Sequence, residues 1–200
     1  GLYLTSIFRF PRLRSLISAP MSRRYGWRFR EIEAEIVRNS PALNITYTPR
    51  SFQVYANEFP QSRYAFVGAS IDGRRHEPFE PPEGSGSLVY ISLGTELNKS
   101  ERFFRWCVEA FGSTGMRVVM AIGDSVRPES LGPVPPTMMV RRRVPQLEVL
   151  SRASLFITHG GMNSVNEALF YGVPMLVVPV GNDQPTVARR VEELGLGEAL

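Results

Sequence analysis

The residues best suited to chemistry stand in Ile157-Thr158-His159-Gly160-Gly161-Met162-Asn163-Ser164, where an apolar run stops at a histidine and two glycines and a helical pattern begins. Glycines at a strand-to-helix junction let a ligand come close to the backbone. The helix behind them offers N–H groups without intrahelical partners and a partial positive charge, which together suit a phosphate. Asn163 and Ser164 add side-chain donors in the first turn. Glu167 lies one turn after Asn163 and shares its helix face. A carboxylate there is badly placed for the phosphate and well placed to accept hydrogen bonds from ribose hydroxyls. A plain tight turn, with His159 as a cap, explains the same spacing, and on these residues alone both readings stay open.

Other chemistries lose support. The turn has neither the GxGxxG spacing of dinucleotide folds nor the GxxxxGK[ST] spacing of a P-loop. No serine or cysteine stands in a nucleophile-elbow context for which His159 would serve as base. Two histidines and one cysteine at scattered positions supply no metal-ligand set.

Such a turn needs a sheet to carry it, and the second half of the chain supplies one. Near-continuous apolar runs predict strands over 88–93, 116–122, 137–140, 154–158 and 175–179. Helical patterns lie over 100–111, 146–152, 161–171 and 184–194, with Ser100 as an N-cap. Apolar strands alternating with helices indicate a parallel sheet covered on both faces. In such sheets ligands bind at the carboxyl ends of the strands. Three strand ends carry candidate residues: Ser92-Leu-Gly-Thr95, His159-Gly-Gly161 and Val180-Gly-Asn-Asp-Gln184. Asp183 and Gln184 also read as the polar start of a helix, with Asp183 as its N-cap.

The first 80 residues are less regular. A helix is predicted over 31–38 and short strands over 44–48 and 64–67, among several proline turns. Glu80-Pro-Pro-Glu-Gly-Ser-Gly-Ser87 reads as a linker. The expected organisation is therefore 1–80, a linker at 81–87, and an α/β domain at 88–200.

Composition bounds the rest. The chain has 200 residues, 43% hydrophobic and 21% charged, as expected of a packed globular protein. Its single cysteine, Cys107, excludes an intrachain disulfide and fits a reducing compartment, so a cytoplasmic location is expected. No apolar run approaches the ~18 residues of a membrane span. Net charge is +4, and seven arginines fall within the first thirty residues. That segment reads either as a solvated helical face or as a peripheral contact with a membrane surface or nucleic acid. Stable membrane insertion and nucleic-acid binding are not expected of the domain that carries the glycine turn.

Four motifs add a resemblance. LVYISLGT (88–95), RVPQLEVL (143–150), FITHGGMNSVNEALFYGVPMLVVP (156–179) and NDQPTVARRVEELGLG (182–197) match, in order and spacing, the donor-binding domain of family 1 glycosyltransferases. The closest likeness is to the bacterial macrolide/UDP-glycosyltransferase group. Residues 43–71 resemble the tail of that family's N-terminal domain. The resemblance implies a GT-B fold, whose Rossmann-like parallel sheet carries helices on both faces. It implies inverting transfer of a sugar from a nucleotide-sugar, UDP-glucose-like, to a hydroxyl of a small lipophilic acceptor. It further implies that no cofactor and no metal are required.

It also assigns roles. Ser92 and Thr95 would lie near the diphosphate. His159 would donate to a phosphate, with Gly161, Asn163 and Ser164 holding other oxygens. Glu167 would bind the ribose hydroxyls, with Gln146 nearby. Val144 would read the base through its backbone. Asp183 and Gln184 would grip the hydroxyls of the donor sugar. Many relatives carry an aromatic residue where this chain has Arg143, whose guanidinium can stack on a base too. The family's catalytic histidine base belongs to the start of the N-terminal domain; the chain is expected to begin inside that domain and to stop before the closing helices. His76 matches no catalytic motif. The alternative expectation is a nucleotide-sugar-binding module that transfers nothing.

Overall fold

A computed structural model describes residue 23 and residues 42–71, 77–94 and 100–200. The expected helix at 31–38, the arginine-rich start, His76 and Thr95 lie outside the described residues. The chain divides into two compact units, one of Gly1–Ile45 with Phe59–Ala65 and one of Thr46–Glu58 with Phe66–Leu200. Strands β1 (Asn44–Thr46) and β2 (Tyr64–Phe66) form a two-stranded sheet. In the first unit Asn44 donates to the Arg63 carbonyl through its backbone N–H (2.7 Å) and its side-chain amide (3.1 Å).

The second unit is built on six parallel strands: β3 (Leu88–Ser92), β4 (Arg117–Ala121), β5 (Met138–Arg141), β6 (Leu155–Thr158), β7 (Met175–Val177) and β8 (Gly197–Ala199). Their spatial order is β5-β4-β3-β6-β7-β8, so the winding reverses between β3 and β6. The register sets Ser92 level with Ala121 on one side and with Thr158 on the other. The strands therefore stop on one line, and the residues that follow them form a common rim.

Both faces of the sheet are buried. Side chains alternate across each strand, so Tyr90, Val119 and Phe156 face one core while Val89, Ile91, Val118 and Met120 face the other. The first core is closed by α2 (Gln146–Leu150), α3 (Met162–Tyr171) and α4 (Gln184–Glu193), through Val149, Val165, Ala168 and Val191. The second is closed by α1 (Glu101–Phe111), whose Phe104, Cys107 and Val108 point inward. Ser100 caps α1 as its position predicts, accepting from the Phe103 N–H at 3.2 Å. Burial pushes the Cys107 thiol up to about 12, so it packs as an apolar group. Residues of 46–58 join the first core: Phe52 is buried, and Arg190 of α4 donates to the carbonyls of Ser51 and Phe52, both at 2.9 Å.

The five expected strands and four expected helices of this region are present, most with ends shifted by a residue or two. β8 is an addition. Three residues that open with a glycine carry too little pattern to be read as a strand. It forms because Gly197, at φ +156°, lets the chain pass directly against the backbone of Met175, its pairing partner.

That passage yields a test of the register. A Cβ at 197 would overlap the Met175 carbonyl oxygen and would also impose a strained backbone. Gly197→Ala is expected to lower the unfolding free energy by at least ~1–3 kcal/mol, the cost of a forced backbone conformation. Urea denaturation measures it, and a variant as stable as the parent contradicts the β7–β8 pairing.

Candidate functional site

A cleft of about 500 Å³ opens on the rim where the strand order reverses. It is lined from the ends of four strands, by Tyr90, Ser92 and Gly94 from β3, Gly123 and Asp124 after β4, Arg142, Arg143 and Val144 after β5, and His159 and Gly161 after β6. This is the place where open parallel sheets bind ligands, because adjacent connections there depart to opposite faces. The first turn of α3 closes the cleft with Met162, Asn163 and Ser164. The N–H groups of those three residues have no partner within the helix and carry its positive end.

His159 is held by the absence of side chains around it. A Cβ on Gly161 would stand 2.5 Å from its Nε2, and one on Gly94 would stand 2.7 Å from its Cε1. The imidazole thus occupies the space that two missing methyl groups leave. Gly160 has a different reason: its φ is +85°, and a Cβ there would meet Val177 Cγ1 at 2.7 Å. The glycine pair thus makes room for the histidine and for the turn, and Gly161 also lines the cleft.

Burial lowers the affinity of His159 for a proton, against opposing pulls from the charge of Asp183 and from the backbone of Ser92. The ring is therefore neutral near pH 7 in the free protein. Its Nδ1 is buried without a hydrogen-bond partner among the described residues. The Ser92 hydroxyl oxygen accepts from the Gly94 N–H at 3.4 Å.

A polar chain runs from the cleft wall to the buried Glu167 behind it. Tyr90 Oη is 2.9 Å from Gln146 Oε1, and Gln146 Nε2 is 2.6 Å from Glu167 Oε2 and 3.4 Å from Ser164 Oγ. Glu167 is 4% exposed and sits behind Gln146, which itself faces the cleft. On its other side Glu167 borders a smaller cavity of about 170 Å³ with Asn163 and Asn166. The position is one turn into α3, as the spacing predicts.

The structure thus gathers Ser92, Arg143, Val144, Gln146, His159, Gly161, Asn163 and Ser164 around one cleft. Arg143 stands on the rim with its guanidinium paired to Asp124 at 2.7 Å, both side chains exposed. Asp183 and Gln184 are not among the residues lining the cleft. Asp183 is exposed at the N-cap of α4 without a side-chain capping bond, and is near enough to act on His159 electrostatically. Gln184 is buried, and its Oε1 accepts from the N–H groups of Val180 (2.8 Å) and Gly181 (3.0 Å), closing the turn before the helix.

Tyr90, Gly123, Asp124 and Arg142 belong to the lining without having been singled out in the sequence. Gly123-Asp124 had a signal, since it follows a strand just as Gly94 and His159 do. Tyr90 had none: a tyrosine inside an apolar strand reads as core. Among the described residues no group of three or more histidines, cysteines or carboxylates could hold a metal ion, and no helix is long and apolar enough to cross a membrane.

Residues 69–200 match the family described as UDP-glucoronosyl and UDP-glucosyl transferase. The NDP-glycosyltransferase YjiC of Bacillus licheniformis is 47% identical over 161 residues, which cover 79% of this chain and 40% of that protein. The oleandomycin glycosyltransferase of Streptomyces antibioticus is 36% identical over 162 residues, 80% of this chain and 38% of its own length. The chain thus spans about two fifths of the curated relatives it matches. Among solved structures, the kitacinnamycin glycotransferase superposes with a TM-score of 0.80 at 32% identity, covering 99% of this chain and 52% of that one. The calicheamicin glycosyltransferase CalG4 gives 0.74 at 35% identity, covering 96% and 48%. The fold is of GT-B type, as the motifs imply.

The histidine clamp generates its own test. Gly161→Ala should destabilise the chain by driving the imidazole from its place, and His159→Ala should relieve that strain. A double-mutant cycle by urea denaturation should show a coupling of about 0.5–3 kcal/mol, the range for residues in direct contact. Strict additivity contradicts the clamp.

Proposed function

Because the chain belongs to the UDP-glucoronosyl and UDP-glucosyl transferase family, we propose that it forms the donor-binding side of a glycosyltransferase that moves a sugar, with inversion, from a nucleotide-sugar to a hydroxyl of a small lipophilic acceptor. The observation that carries the proposal is the arrangement at the sheet reversal: a neutral, clamped His159 beside the open first turn of α3. A diphosphate placed there meets the helix N–H groups, the imidazole N–H and the hydroxyls of Ser92 and Ser164. Arg142 and Arg143 add positive charge at the rim.

In this reading the nucleoside lies toward Val144 and Gln146, with Arg143 beside the base. Gln146 and Glu167 take the ribose hydroxyls, and Thr95 completes the diphosphate cradle. The sugar extends toward the α4 end, where Asp183 and Gln184 hold its hydroxyls. Attack by the acceptor oxygen on the anomeric carbon breaks the bond to the β-phosphate oxygen, and the electron pair leaves with the diphosphate. The acceptor proton passes to a base, a role assigned to no residue of this chain. Developing charge on the leaving diphosphate is what the helix dipole and the His159 donor stabilise. No metal enters the scheme. The macrolide-glycosylating relative supports a lipophilic acceptor, and the lone buried cysteine supports a cytoplasmic setting.

Two substitutions separate the halves of the donor. Glu167→Ala should weaken UDP and UDP-glucose alike, by about 1–3 kcal/mol for a lost charged acceptor. Asp183→Ala should weaken UDP-glucose while leaving UDP unchanged. Calorimetric titration reads both; unchanged UDP affinity in a folded Glu167→Ala variant removes that residue from the ribose contact.

A further inference from the structure

The buried end of the Tyr90–Gln146–Glu167 chain has no role in the scheme above, and its geometry gives it one. Tyr90 is 1% exposed, and its ring stacks on Phe156 at 4.7 Å with an interplanar angle of 6°. Packing alone would be satisfied by phenylalanine. The hydroxyl instead reaches Gln146, 56 residues away in sequence, at 2.9 Å. An amide oxygen can only accept, so the phenol donates. Burial, with the charge of Glu167 adding to it and Ser92 opposing, keeps that phenol protonated far above its ordinary range.

The bond gives the amide a second hold. Glu167 draws Nε2 at 2.6 Å from one side, and Tyr90 anchors Oε1 from the other. Held at both ends, the amide turns its NH₂ group, and not its oxygen, toward the carboxylate. A donor on the cleft wall thus stands next to an acceptor just behind it. A sugar hydroxyl both donates and accepts, so this pair fits it where two acceptors would not.

We propose that Tyr90 is a positioning residue for ribose recognition: by donating to Gln146 it fixes the amide beside Glu167, and the fixed pair selects ribonucleotides over their 2′-deoxy counterparts. The inference rests on the reading of the cleft as a nucleotide site and deepens it. It locates sugar selectivity in a residue that acts through the amide it holds, on a strand that otherwise serves the core up to Ser92 at its end.

The test is calorimetric titration of UDP and 2′-deoxy-UDP into the parent chain, Tyr90→Phe, Gln146→Ala and the double variant. The parent should prefer UDP. Tyr90→Phe should bind UDP about tenfold more weakly, the scale of one hydrogen bond, and 2′-deoxy-UDP as before. In the Gln146→Ala background the tyrosine change should cost nothing further, because its effect runs through the amide. Equal losses for both nucleotides, or an undiminished preference for UDP, overturn the role of Tyr90. Should Tyr90→Phe not fold, Gln146→Ala alone decides, since a retained ribose preference there overturns the inference equally. A parent that binds both nucleotides alike overturns the ribose selectivity proposed here, whereas a parent that binds neither overturns the nucleotide reading itself.

Discussion

The site depends on a steric fact about one imidazole. His159 can lie at the end of β6 only because positions 94 and 161 carry no Cβ, and those two glycines come from different strand ends. Their meeting requires the level ends of β3 and β6, which the pairing of Ser92 with Thr158 provides. A slip of one residue between these strands would move Gly94 and turn every side chain of one strand to the opposite face. The register that packs the core is thereby the register that builds the cleft.

Burial has a chemical consequence there. A histidine on an open surface would be partly charged near neutral pH; this one is held neutral by its surroundings. A neutral ring can donate to a phosphate without repelling the positive end of α3 beside it. The same helix serves three partners at once. Its first turn faces the cleft, Glu167 holds Gln146, and Asn166 donates to the Tyr47 carbonyl at 2.6 Å. That last bond ties residues of 46–58 to the element that carries the site.

Much of this was legible in the sequence because it is written in local pattern. Apolar runs ending in small residues gave the strands and the rim, and the step from Asn163 to Glu167 gave the helix face. What escaped was whatever depends on distant pairing. Tyr90 looks like core until register and fold bring its hydroxyl to Gln146. Gly94 looks like a turn residue until His159 is seen to fill its space. Nothing local to Gln184 shows that its oxygen closes the turn at Val180 and Gly181. The edge strand at 197–199 was missed because its stability lies in the Met175 backbone and not in its own three residues.

The central claim is that the histidine clamp and the open turn of α3 form a diphosphate site. Calorimetric titration of UDP into the parent chain and into His159→Ala tests it most directly. The account predicts one UDP per chain in the parent and an affinity about tenfold or more weaker in the variant, the scale of a charge-assisted hydrogen bond. A folded parent that takes up no UDP, or a variant that binds it as tightly as the parent, would contradict it.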